Sequence, residues 1–528
     1  VAYSKPFFIL SFNWNKSDLD KVKNLPVREY KKKEQVWVVP ELAVNSLDSL
    51  GIVTWMPEAA KAANIIKKAL LALVDYKFSS VELANLGRTI LRPYQQVGVE
   101  FLRRAKRAML ADDMGLGKSI TALYALKSLG TETNLILCPA SLKGNWQNEF
   151  RKHLDIEPLV ISGTAAERKE QWESKEQYKI ANYDQLIRDW DYIPRNWDGI
   201  VFDESVYLKN HSAGRTKLAK KFKSPIKFSL SGMPIENNLM EFHSIMEAIR
   251  PELMPTFNRF KFRYIEYDFA GRVKQYKNLF ELHQLTSPFI LRRIKDEVLT
   301  ELPPKISCEF PLEMSLNLRK QYDILKNDFI VWLRAHEKNS GSVLEQLIRL
   351  RQFVEFPQIV DIDLPSPKLE WLDDIYAEKK KFVVFACYKE SIRLLAEHFN
   401  SKFILTGDTP TDDRFPLVER FNHADSGVLI CTDAARFGLN ITGADTLINF
   451  GYFYNPATME QRSGRLHRIG QVNVVNILNP FIVGTIDEGI REVFLKRGAD
   501  AQSFMQGSED VSVAHLSRIN FERLVSGG

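Results

Sequence analysis

One segment constrains the fold of this chain more than any other: an apolar run, a glycine-rich turn and a helical stretch in direct succession. The run RAML leads into a turn with Gly115 and Gly117, and Lys118-Ser119 opens the helical stretch. Such glycines let backbone N–H groups wrap a phosphate, while the lysine reaches the β- and γ-oxygens and the serine holds Mg²⁺. Only the first glycine of G-x-x-x-x-G-K-[ST] is missing, where Asp112 stands. The segment predicts an α/β fold that binds ATP and Mg²⁺.

A second apolar run ends in an acidic pair. GIVF is followed by Asp203 and Glu204, and in a phosphate-binding α/β fold such a pair fits a metal and water site. Asp203 would hold Mg²⁺, mainly through water and together with the Ser119 hydroxyl, and Glu204 would polarise the attacking water. Taken alone, the pair could equally be the solvated end of a strand.

Apolar runs alternate with amphipathic stretches in two separate parts of the chain. The first set is RAML at 107–110, NLILC at 134–138, PLVIS at 158–162, IVFDE at 200–204 and IKFSLSG at 226–232. The second set is KFVVFAC at 381–387, KFILTG at 402–407, GVLICTD at 427–433, TLINFG at 446–451 and VNVVNIL at 472–478. The alternation predicts two parallel sheets flanked by helices, and hence two similar lobes with a cleft between them.

Length and composition agree with a soluble protein of several domains. The chain has 528 residues, of which 45% are apolar and 26% charged. This length is too great for a single hydrophobic core, so several domains are expected. No apolar run is long enough to cross a bilayer. The net charge of +6 is a mild bias toward a polyanionic partner. The four cysteines are scattered, which favours core residues over a disulfide framework or a zinc site.

With these motifs in place, the chain resembles the Swi/Snf-type branch of helicase superfamily two over nearly all of 86–495. The matching segments are LRPYQ at 91–95, PASLKGNW at 139–146, DESVYLKN at 203–210, LSGMPIENN at 230–238, FILRRIK at 289–295, TDAARFGLN at 432–440 and QRSGRLHRIGQ at 461–471. Their shared order is the specific feature, because a solvated basic helix face would not reproduce it. The resemblance implies two RecA-like lobes and an ATP-dependent helicase or translocase that moves on duplex DNA.

The resemblance also implies a nucleotide site built from both lobes. Its ATP-binding residues are Arg92, Gln95, Asp113, Met114, Gly115, Leu116, Gly117, Lys118, Ser119 and Gly438. Its catalytic residues are Lys118, Asp203, Glu204, Arg465 and Arg468. The last two are arginine fingers that would reach across the cleft to the γ-phosphate, where a delocalised cation meets the developing charge.

Two positions depart from the family pattern. Val206 stands where many relatives have histidine, and Met233 where most have threonine. Since these positions help to link hydrolysis to movement in the family, we expect the link to run through other residues, such as Ser205 or Glu236.

DNA is expected across both lobes, on the side of the sheets opposite the nucleotide. The candidate contacts are Lys143, Asn145, Asn182, Tyr183, Lys209 and Asn210 in the first lobe and Thr432 in the second. Polar and basic side chains in strand-end loops suit phosphate contacts that position DNA without reading its sequence. For each residue alone, an exposed loop position with no ligand is an equally good interpretation. Trp146 is expected to be a core residue.

The N-terminal segment differs from the rest. Residues 8–50 resemble the HARP module that precedes the motor in annealing-type, fork-remodelling helicases, with FFILSFNW, KSDLDKVKNLP, a basic turn and VWVVP in order. Residues 1–40 hold eight Lys/Arg and four Asp/Glu. A DNA-binding surface and an ordinary solvated face both account for this excess.

The predicted fold class is therefore α/β, with two RecA-like lobes and a small α+β N-terminal domain. The predicted parts are a HARP-like substrate-recognition domain at 1–75, the first lobe at 86–300, a helical linker or protrusion at 301–365, the second lobe at 366–500 and a tail at 501–528.

The predicted function is a DNA-dependent ATPase that translocates on duplex DNA and remodels forks and junctions in replication, repair or recombination. The alternatives are a chromatin or protein–DNA remodelling translocase, a DNA-binding scaffold that does not hydrolyse ATP, and an RNA-stimulated motor. The expected partners are double-stranded and branched DNA, with no membrane, and a monomer is the expected state. We expect an intracellular, soluble, DNA-associated protein, in cytoplasm or nucleoid if the source is bacterial or viral.

Overall fold

The structure is a computed structural model that divides into two compact units, whose main parts are Val1–Val298 (unit 1) and Leu299–Ala499 (unit 2). The residues it describes are 2–5, 7–11, 16–51, 54–74, 86–232, 238–269, 271, 273–335, 340–436, 439–452 and 456–505. Each unit carries a parallel sheet flanked by helices, which confirms the predicted fold class. None of the described helices combines the length and apolarity that crossing a bilayer requires.

Unit 1 begins with an α+β module, here called the N-terminal module (residues 2–74). Its elements are β1 (Ala2–Ser4), β2 (Phe7–Leu10), α1 (Lys16–Lys23), β3 (Glu29–Lys31), β4 (Val36–Pro40), a 3-10 helix (Glu41–Leu50) and α2 (Pro57–Val74). The strands form an antiparallel sheet in the order β1-β2-β4-β3. Alternate residues of β2, Phe8 and Leu10, are buried, as expected for a sheet with one face on a core.

The main sheet of unit 1 has seven strands in the order β13-β5-β10-β9-β6-β8-β7. The strands of this part are β5 (Arg107–Leu110), β6 (Asn134–Cys138), β7 (Leu159–Val160), β8 (Tyr178–Asn182), β9 (Gly199–Asp203), β10 (Ile226–Leu230), β11 (Ile265–Tyr267), β12 (Val273–Tyr276) and β13 (Ile290–Leu291), with β11 and β12 forming a separate hairpin. The helices are α3 (Pro93–Ala105), α4 (Lys118–Ser128), α5 (Lys143–Leu154), α6 (Ala165–Glu173), α7 (Gln185–Arg188), α8 (Gly214–Ala219), α9 (Leu239–Ile249), α10 (Phe257–Tyr264), α11 (Leu279–Thr286) and α12 (Lys295–Val298).

The N-terminal module shares a hydrophobic core with the rest of unit 1. Helix α2 packs against α3 and the short 3-10 helix Ser287–Phe289, and the 3-10 helix Glu41–Leu50 packs against α11. The guanidinium of Arg259 donates to the backbone oxygens of Arg28 (3.0 Å) and Leu25 (3.4 Å). The module is therefore anchored to unit 1 by both apolar and polar contacts.

Unit 2 contains a six-stranded parallel sheet in the order β14-β19-β18-β15-β17-β16. Its strands are β14 (Lys305–Leu312), β15 (Lys381–Phe385), β16 (Phe403–Leu405), β17 (Gly427–Cys431), β18 (Thr446–Asn449) and β19 (Val475–Ile482). Its helices are α13 (Leu316–Ala335), α14 (Ser340–Glu355), α15 (Pro367–Glu378), α16 (Lys389–His398), α17 (Thr411–His423), α18 (Pro456–Leu466) and α19 (Ile486–Met505).

One predicted boundary is wrong. Residues 301–365 are not only a helical linker, because β14 lies within them and pairs with β19 along its whole length. The run KISCEFPL contains Glu309 and Pro311, so it does not look like a buried strand. Proline is tolerated here because β14 is an edge strand. The helical part of the predicted linker is α13 and α14.

Candidate nucleotide site and DNA-facing loops

The predicted phosphate loop leaves the carboxyl end of β5 and enters α4. Gly115 and Gly117 have φ values of 85° and 77°, a backbone region that side chains disfavour. A Cβ atom at Gly117 would lie 2.5 Å from Nε2 of Gln95. That Nε2 donates to the Leu116 carbonyl (3.1 Å), while Oε1 of Gln95 accepts from the backbone N–H of Arg92 (3.0 Å). Gln95, one of the predicted ATP-binding residues, thus supports the loop directly.

Lys118 is held inside this loop. Its Nζ donates to the backbone oxygens of Asp112 (2.8 Å) and Asp113 (3.3 Å). Burial lowers the pKa of Lys118, and the negative charges of Glu204, Asp112 and Asp203 oppose that shift. The ammonium is therefore surrounded by acceptors at the start of α4, where a phosphate chain would find both its charge and the helix N-terminus.

Asp112, which replaces the first glycine of the pattern, forms a buried ion pair with Arg293. The carboxylate is 1% exposed, and Nε of Arg293 donates to Oδ1 at 2.9 Å while Nη2 donates to Oδ2. Backbone bonds run alongside, from Ala111 N–H to the Leu291 oxygen (2.7 Å) and from Asp113 N–H to the Arg293 oxygen (3.0 Å). Burial raises the pKa of Asp112, and Arg293 opposes the shift. The start of the loop is therefore held against β13 and the segment that follows it.

Asp203 ends β9 at the same edge of the sheet. Leu230 of β10 is in register with both Leu110 of β5 and Asp203 of β9, so the three following loops leave the sheet side by side. A Cβ atom at Gly232, just after β10, would lie 3.0 Å from the side chain of Met114. The structure therefore brings the phosphate loop, the Ser231-Gly232 turn and the acidic pair together.

The carboxylate of Asp203 is buried, and each of its two oxygens accepts a hydrogen bond. Oδ2 accepts from the indole Nε1–H of Trp146 (2.7 Å), and Oδ1 accepts from the backbone N–H of Glu204 (3.0 Å). The phenol of Tyr183 donates to the backbone oxygen of Asp203 (2.7 Å). Burial and the nearby charge of Glu204 raise the pKa of Asp203 to about 7, whereas Trp146 and Lys118 act in the opposite direction.

Glu204 adopts a strained backbone conformation. Its φ and ψ angles are 45° and 56°, a left-handed conformation that costs a non-glycine residue on the order of 1–3 kcal/mol and that clusters at functional sites. The turn ends β9 abruptly and starts the 3-10 helix Ser205–Leu208. Strain at this position agrees with a catalytic role for Glu204.

The two serines beside the acidic pair are joined. Oγ of Ser229, on β10, donates to Oγ of Ser205 at 2.7 Å, and both side chains are buried. This bond connects the acidic-pair turn to β10, the strand that leads into the LSGMPIENN segment. A part for Ser205 in linking hydrolysis to movement stays a prediction. Met233 and Glu236 lie outside the described residues, as does Gly438.

The oxygen ligands expected for Mg²⁺ fit this edge of the sheet. Asp203 supplies a carboxylate and Ser119, at the start of α4, a hydroxyl, and hard cations of this kind prefer oxygen ligands. Bound Mg²⁺ would neutralise charge on the β- and γ-phosphates.

A separate cluster of His211, His243 and Glu247 has potential metal-ligand atoms within 4.8 Å of one another. There the Lys220 ammonium already contacts Glu247 (2.5 Å) and His211 (2.9 Å).

The two predicted arginine fingers lie close together in unit 2. Arg465 and Arg468 each donate through Nη1 to the Leu439 oxygen at 3.4 Å. Next to them on α18, the buried Arg462 pairs with Asp433 (2.8 Å). The structure thus groups the two guanidinium groups, and their action on nucleotide stays a prediction.

Four of the six predicted DNA-contact residues of unit 1 are at least partly exposed. Asn145, Lys209 and Asn210 are partly or fully exposed. Lys143 is partly buried and donates to the Ile161 oxygen (2.8 Å). Thr432, in unit 2, is partly exposed. Their contacts with DNA stay predictions.

Two candidates do not fit a direct contact. Tyr183 is 1% exposed and uses its phenol on Asp203, so the prediction that it touches DNA is wrong for this conformation. Asn182 is also buried, and its Oδ1 accepts from the backbone N–H groups of Asp184 and Gln185, both at 3.0 Å. Both are therefore interior residues. Asn182 caps the turn that follows β8, as an Asn at a strand end readily does.

Arg215 was missed by sequence reasoning. Its Nε donates to the Tyr207 oxygen (3.0 Å), and Nη1 lies 3.4 Å from Oδ1 of Asp184. Tyr207 in turn stacks on Tyr183, with ring centroids 5.3 Å apart. Arg215 thereby joins the loop after β8 to the loop after β9. No motif marks it, since it lies beyond the DESVYLKN segment.

Together these features define a class of protein: a nucleotide-binding α/β unit with a phosphate loop after one strand and an Asp-Glu pair two strands away. Known families identify it further. The SNF2-related domain matches residues 94–359, and the helicase conserved C-terminal domain matches residues 367–470. Because the first match alone covers half of the 528 residues, the chain belongs to the SNF2-related family.

Individual relatives agree with this assignment. An uncharacterized ATP-dependent helicase of Mycoplasma genitalium is 30% identical over an alignment of 436 positions, which covers 76% of this chain and 41% of that protein. The TATA-binding protein-associated factor Mot1 of Aspergillus fumigatus is 28% identical over 76% of this chain and 26% of its own length. The chain therefore spans about two fifths or less of these curated relatives. Among solved structures, the SWI2/SNF2 ATPase core of Sulfolobus solfataricus in complex with dsDNA has a TM-score of 0.42 and 24% identity, covering 85% of this chain and 99% of that one.

Proposed function

We propose that this protein is a DNA-dependent ATPase that translocates on double-stranded DNA. The observation that carries the proposal is the convergence of Lys118, Asp203 and Glu204 at one edge of the unit 1 sheet. Family membership supports ATP as the nucleotide and Mg²⁺ as the metal, and the relatives include ATP-dependent helicases. A soluble, DNA-associated protein acting as a monomer is part of the proposal.

In this proposal each group has one task. The phosphate loop and Lys118 bind the phosphates, Asp203 and Ser119 hold Mg²⁺, and Glu204 activates water. Arg465 and Arg468 meet the charge that develops on the γ-phosphate. Lys143, Asn145, Lys209 and Asn210 contact the DNA backbone, and Thr432 does so from unit 2.

The decisive test is ATP turnover by the full chain with no nucleic acid, with linear duplex DNA and with duplex RNA. We expect low turnover alone and strong stimulation by DNA. No turnover under any condition would favour a DNA-binding scaffold, and equal stimulation by RNA would favour an RNA-stimulated motor.

We further propose that the protein acts on branched DNA through the N-terminal module. Tyr30, on β3, is 37% exposed, and its ring lies 5.1 Å from that of Trp37. The Arg28 guanidinium lies 5.8 Å from the Trp37 ring centroid. Lys32 and Lys33, in the turn between β3 and β4, are exposed. Aromatic rings next to cations suit the unpaired bases and backbone at a fork. The HARP-like assignment of this module stays a prediction.

A charge reversal tests this role without removing the module. Lys32→Glu/Lys33→Glu should leave stimulation by linear duplex unchanged, because the lobes contact duplex, but should raise the fork concentration needed for half-maximal turnover. Lys152→Glu/Lys175→Glu changes the charge equally at exposed lysines elsewhere in unit 1 and is the control. Equal fork responses of both variants and wild type would contradict the proposal.

Remodelling of protein–DNA complexes is the second candidate function. TATA-binding protein-associated factors and a CHD3-type chromatin-remodelling factor are among the relatives. ATP-dependent release of a tightly bound protein from linear duplex, with no preference for forks, would favour this function over the first.

A further inference from the structure

Among the described residues, the carboxylate of Asp203 receives one hydrogen bond from a distant part of the chain, and that donor has no role in the proposed chemistry. The Nε1–H of Trp146 donates to Oδ2 at 2.7 Å. Trp146 is fully buried and Asp203 is 8% exposed. We infer that Trp146 is a positioning residue, which holds the Asp203 carboxylate in the orientation that binds Mg²⁺; the inference rests on the proposed ATPase function.

The other hydrogen bonds of Asp203 cannot fix the orientation of its carboxylate. The Glu204 N–H bond to Oδ1 comes from the adjacent residue and moves with the same turn. The Tyr183 phenol binds the backbone oxygen and leaves the carboxylate free to rotate. Trp146 sits on α5, 57 residues away in sequence, so its indole fixes the carboxylate against a separate helix.

Burial makes the indole N–H hard to replace. A solvent-exposed carboxylate that loses a donor gains a water molecule, whereas this one lies against a fully buried side chain. Hydrogen bonds to ionised groups are roughly twice as strong as neutral ones. Donors that orient a metal ligand typically change metal affinity about 10- to 100-fold when they are removed. Loss of this N–H should therefore appear mainly in Mg²⁺ binding.

The chain offers a matched control. Nε1–H of Trp172 donates to Oδ2 of Asp189 at 3.2 Å, and both residues are buried in the same unit. Asp189 also binds Arg168 and belongs to no predicted nucleotide motif. Trp172→Phe thus removes the same type of buried bond without touching the Asp203 carboxylate.

The test measures binding of the fluorescent nucleotide MANT-ADP to the full chain, with Mg²⁺ and with EDTA. In Trp146→Phe, the dissociation constant in EDTA divided by that in Mg²⁺ should fall on the order of tenfold. The dissociation constant in EDTA itself should stay unchanged. Trp172→Phe should keep the wild-type ratio. Benzothienylalanine placed at position 146, with sulphur instead of N–H, keeps the shape of the indole and serves if Trp146→Phe does not fold. It should show the same loss.

The outcomes distinguish the positioning role of Trp146 from the proposed ATPase function. A wild-type ratio in both position-146 variants would overturn the positioning role while leaving the ATPase proposal intact. A wild-type protein that fails to bind MANT-ADP, or that binds it without help from Mg²⁺, would overturn the proposed function itself.

Discussion

The Asp112 carboxylate and the Arg293 guanidinium form a buried ion pair across 181 residues of sequence. The pair joins Asp112, near the start of the phosphate loop, to the segment that follows β13, the last described strand of unit 1. Because Nη1 of Arg293 also donates to the Tyr94 oxygen, one guanidinium holds the loop, β13 and the start of α3. An arginine is suited to this task by its planar, multi-donor geometry.

Arg293→Met should destabilise unit 1 by about 3–5 kcal/mol, because it leaves the Asp112 carboxylate buried without its partner. Chemical denaturation of Asp112→Asn, Arg293→Met and the double variant would measure the coupling. The double variant should be less destabilised than the sum of the single variants. Simple additivity would show that the pair does not interact.

Glu204→Gln and Lys118→Ala should abolish ATP turnover while DNA affinity stays near that of wild type, since neither residue is placed to touch DNA. Turnover and DNA binding are measured on the same preparations. Substantial hydrolysis by Glu204→Gln would remove Glu204 from the role of water activator.

Arg465→Ala or Arg468→Ala should lower turnover by roughly a thousandfold or more, as removal of an arginine finger does in related sites. Nucleotide affinity should change much less. Arg393→Ala, at an arginine that is exposed in the same unit, is the control. Wild-type turnover in both finger variants would show that the composite site is wrong.

Deleting residues 1–75 should lower the thermal stability of unit 1, because α2 and the 3-10 helix Glu41–Leu50 cover apolar surface of the neighbouring helices. Thermal unfolding of the shortened and full chains gives the comparison. Arg259→Met in the full chain removes the bonds to Arg28 and Leu25 and should cause a smaller loss in the same direction. Equal melting temperatures for the shortened and full chains would show that the module is independent.

Lys227 should make stability depend on pH in the alkaline range. It is 3% exposed, and burial, together with the charge of Arg107, lowers its pKa from 10.5 to about 8. Below pH 8 both folded and unfolded chains carry the proton, whereas between pH 8 and 10.5 mainly the unfolded chain does. Its unfavourable contribution is therefore full below pH 8 and fades as pH rises to 10.5.

Lys227→Met removes this titration. The melting temperature of the variant relative to wild type should be highest below pH 8 and should decline toward pH 10. Lys223→Met, at an exposed lysine of the same unit, is the control. A difference that does not vary with pH would contradict the assignment.

Sequence patterns predicted the strands that are plain apolar runs, such as Arg107–Leu110 and Asn134–Cys138, with their observed bounds. They missed β8, because YKIAN carries Lys179, whose ammonium is buried and satisfied by the oxygens of Trp172 and Ser174. They missed β14 because its acidic residue and proline belong to an edge strand. A polar atom whose partner is distant in sequence leaves no local pattern.

The same reason applies to the candidate site. Motif spacing located Lys118, Asp203 and Glu204, since each follows an apolar strand. It assigned Tyr183 to DNA and placed Trp146 correctly in the core. It did not show that both side chains donate to Asp203. Neither bond could be inferred, because Trp146 lies on α5 and Tyr183 follows β8, and the sequence does not state where these elements lie relative to β9.

The pairing of β14 with β19 has a consequence for synthesis. Lys305 is in register with Val475 and Leu312 with Ile482. The first strand of unit 2 therefore cannot pair until the last strand has been synthesised. On a ribosome, unit 1 can complete its sheet while unit 2 is still being made, because all seven strands precede residue 299. The full length of β19, the sheet neighbour of β14, becomes available only after Ile482 has left the exit tunnel. Pairings this far apart in sequence slow folding, and the apolar side of the unfinished sheet is exposed meanwhile. Emergence of β19 from the ribosome, rather than local helix formation, thus sets the earliest moment at which the sheet of unit 2 can be completed.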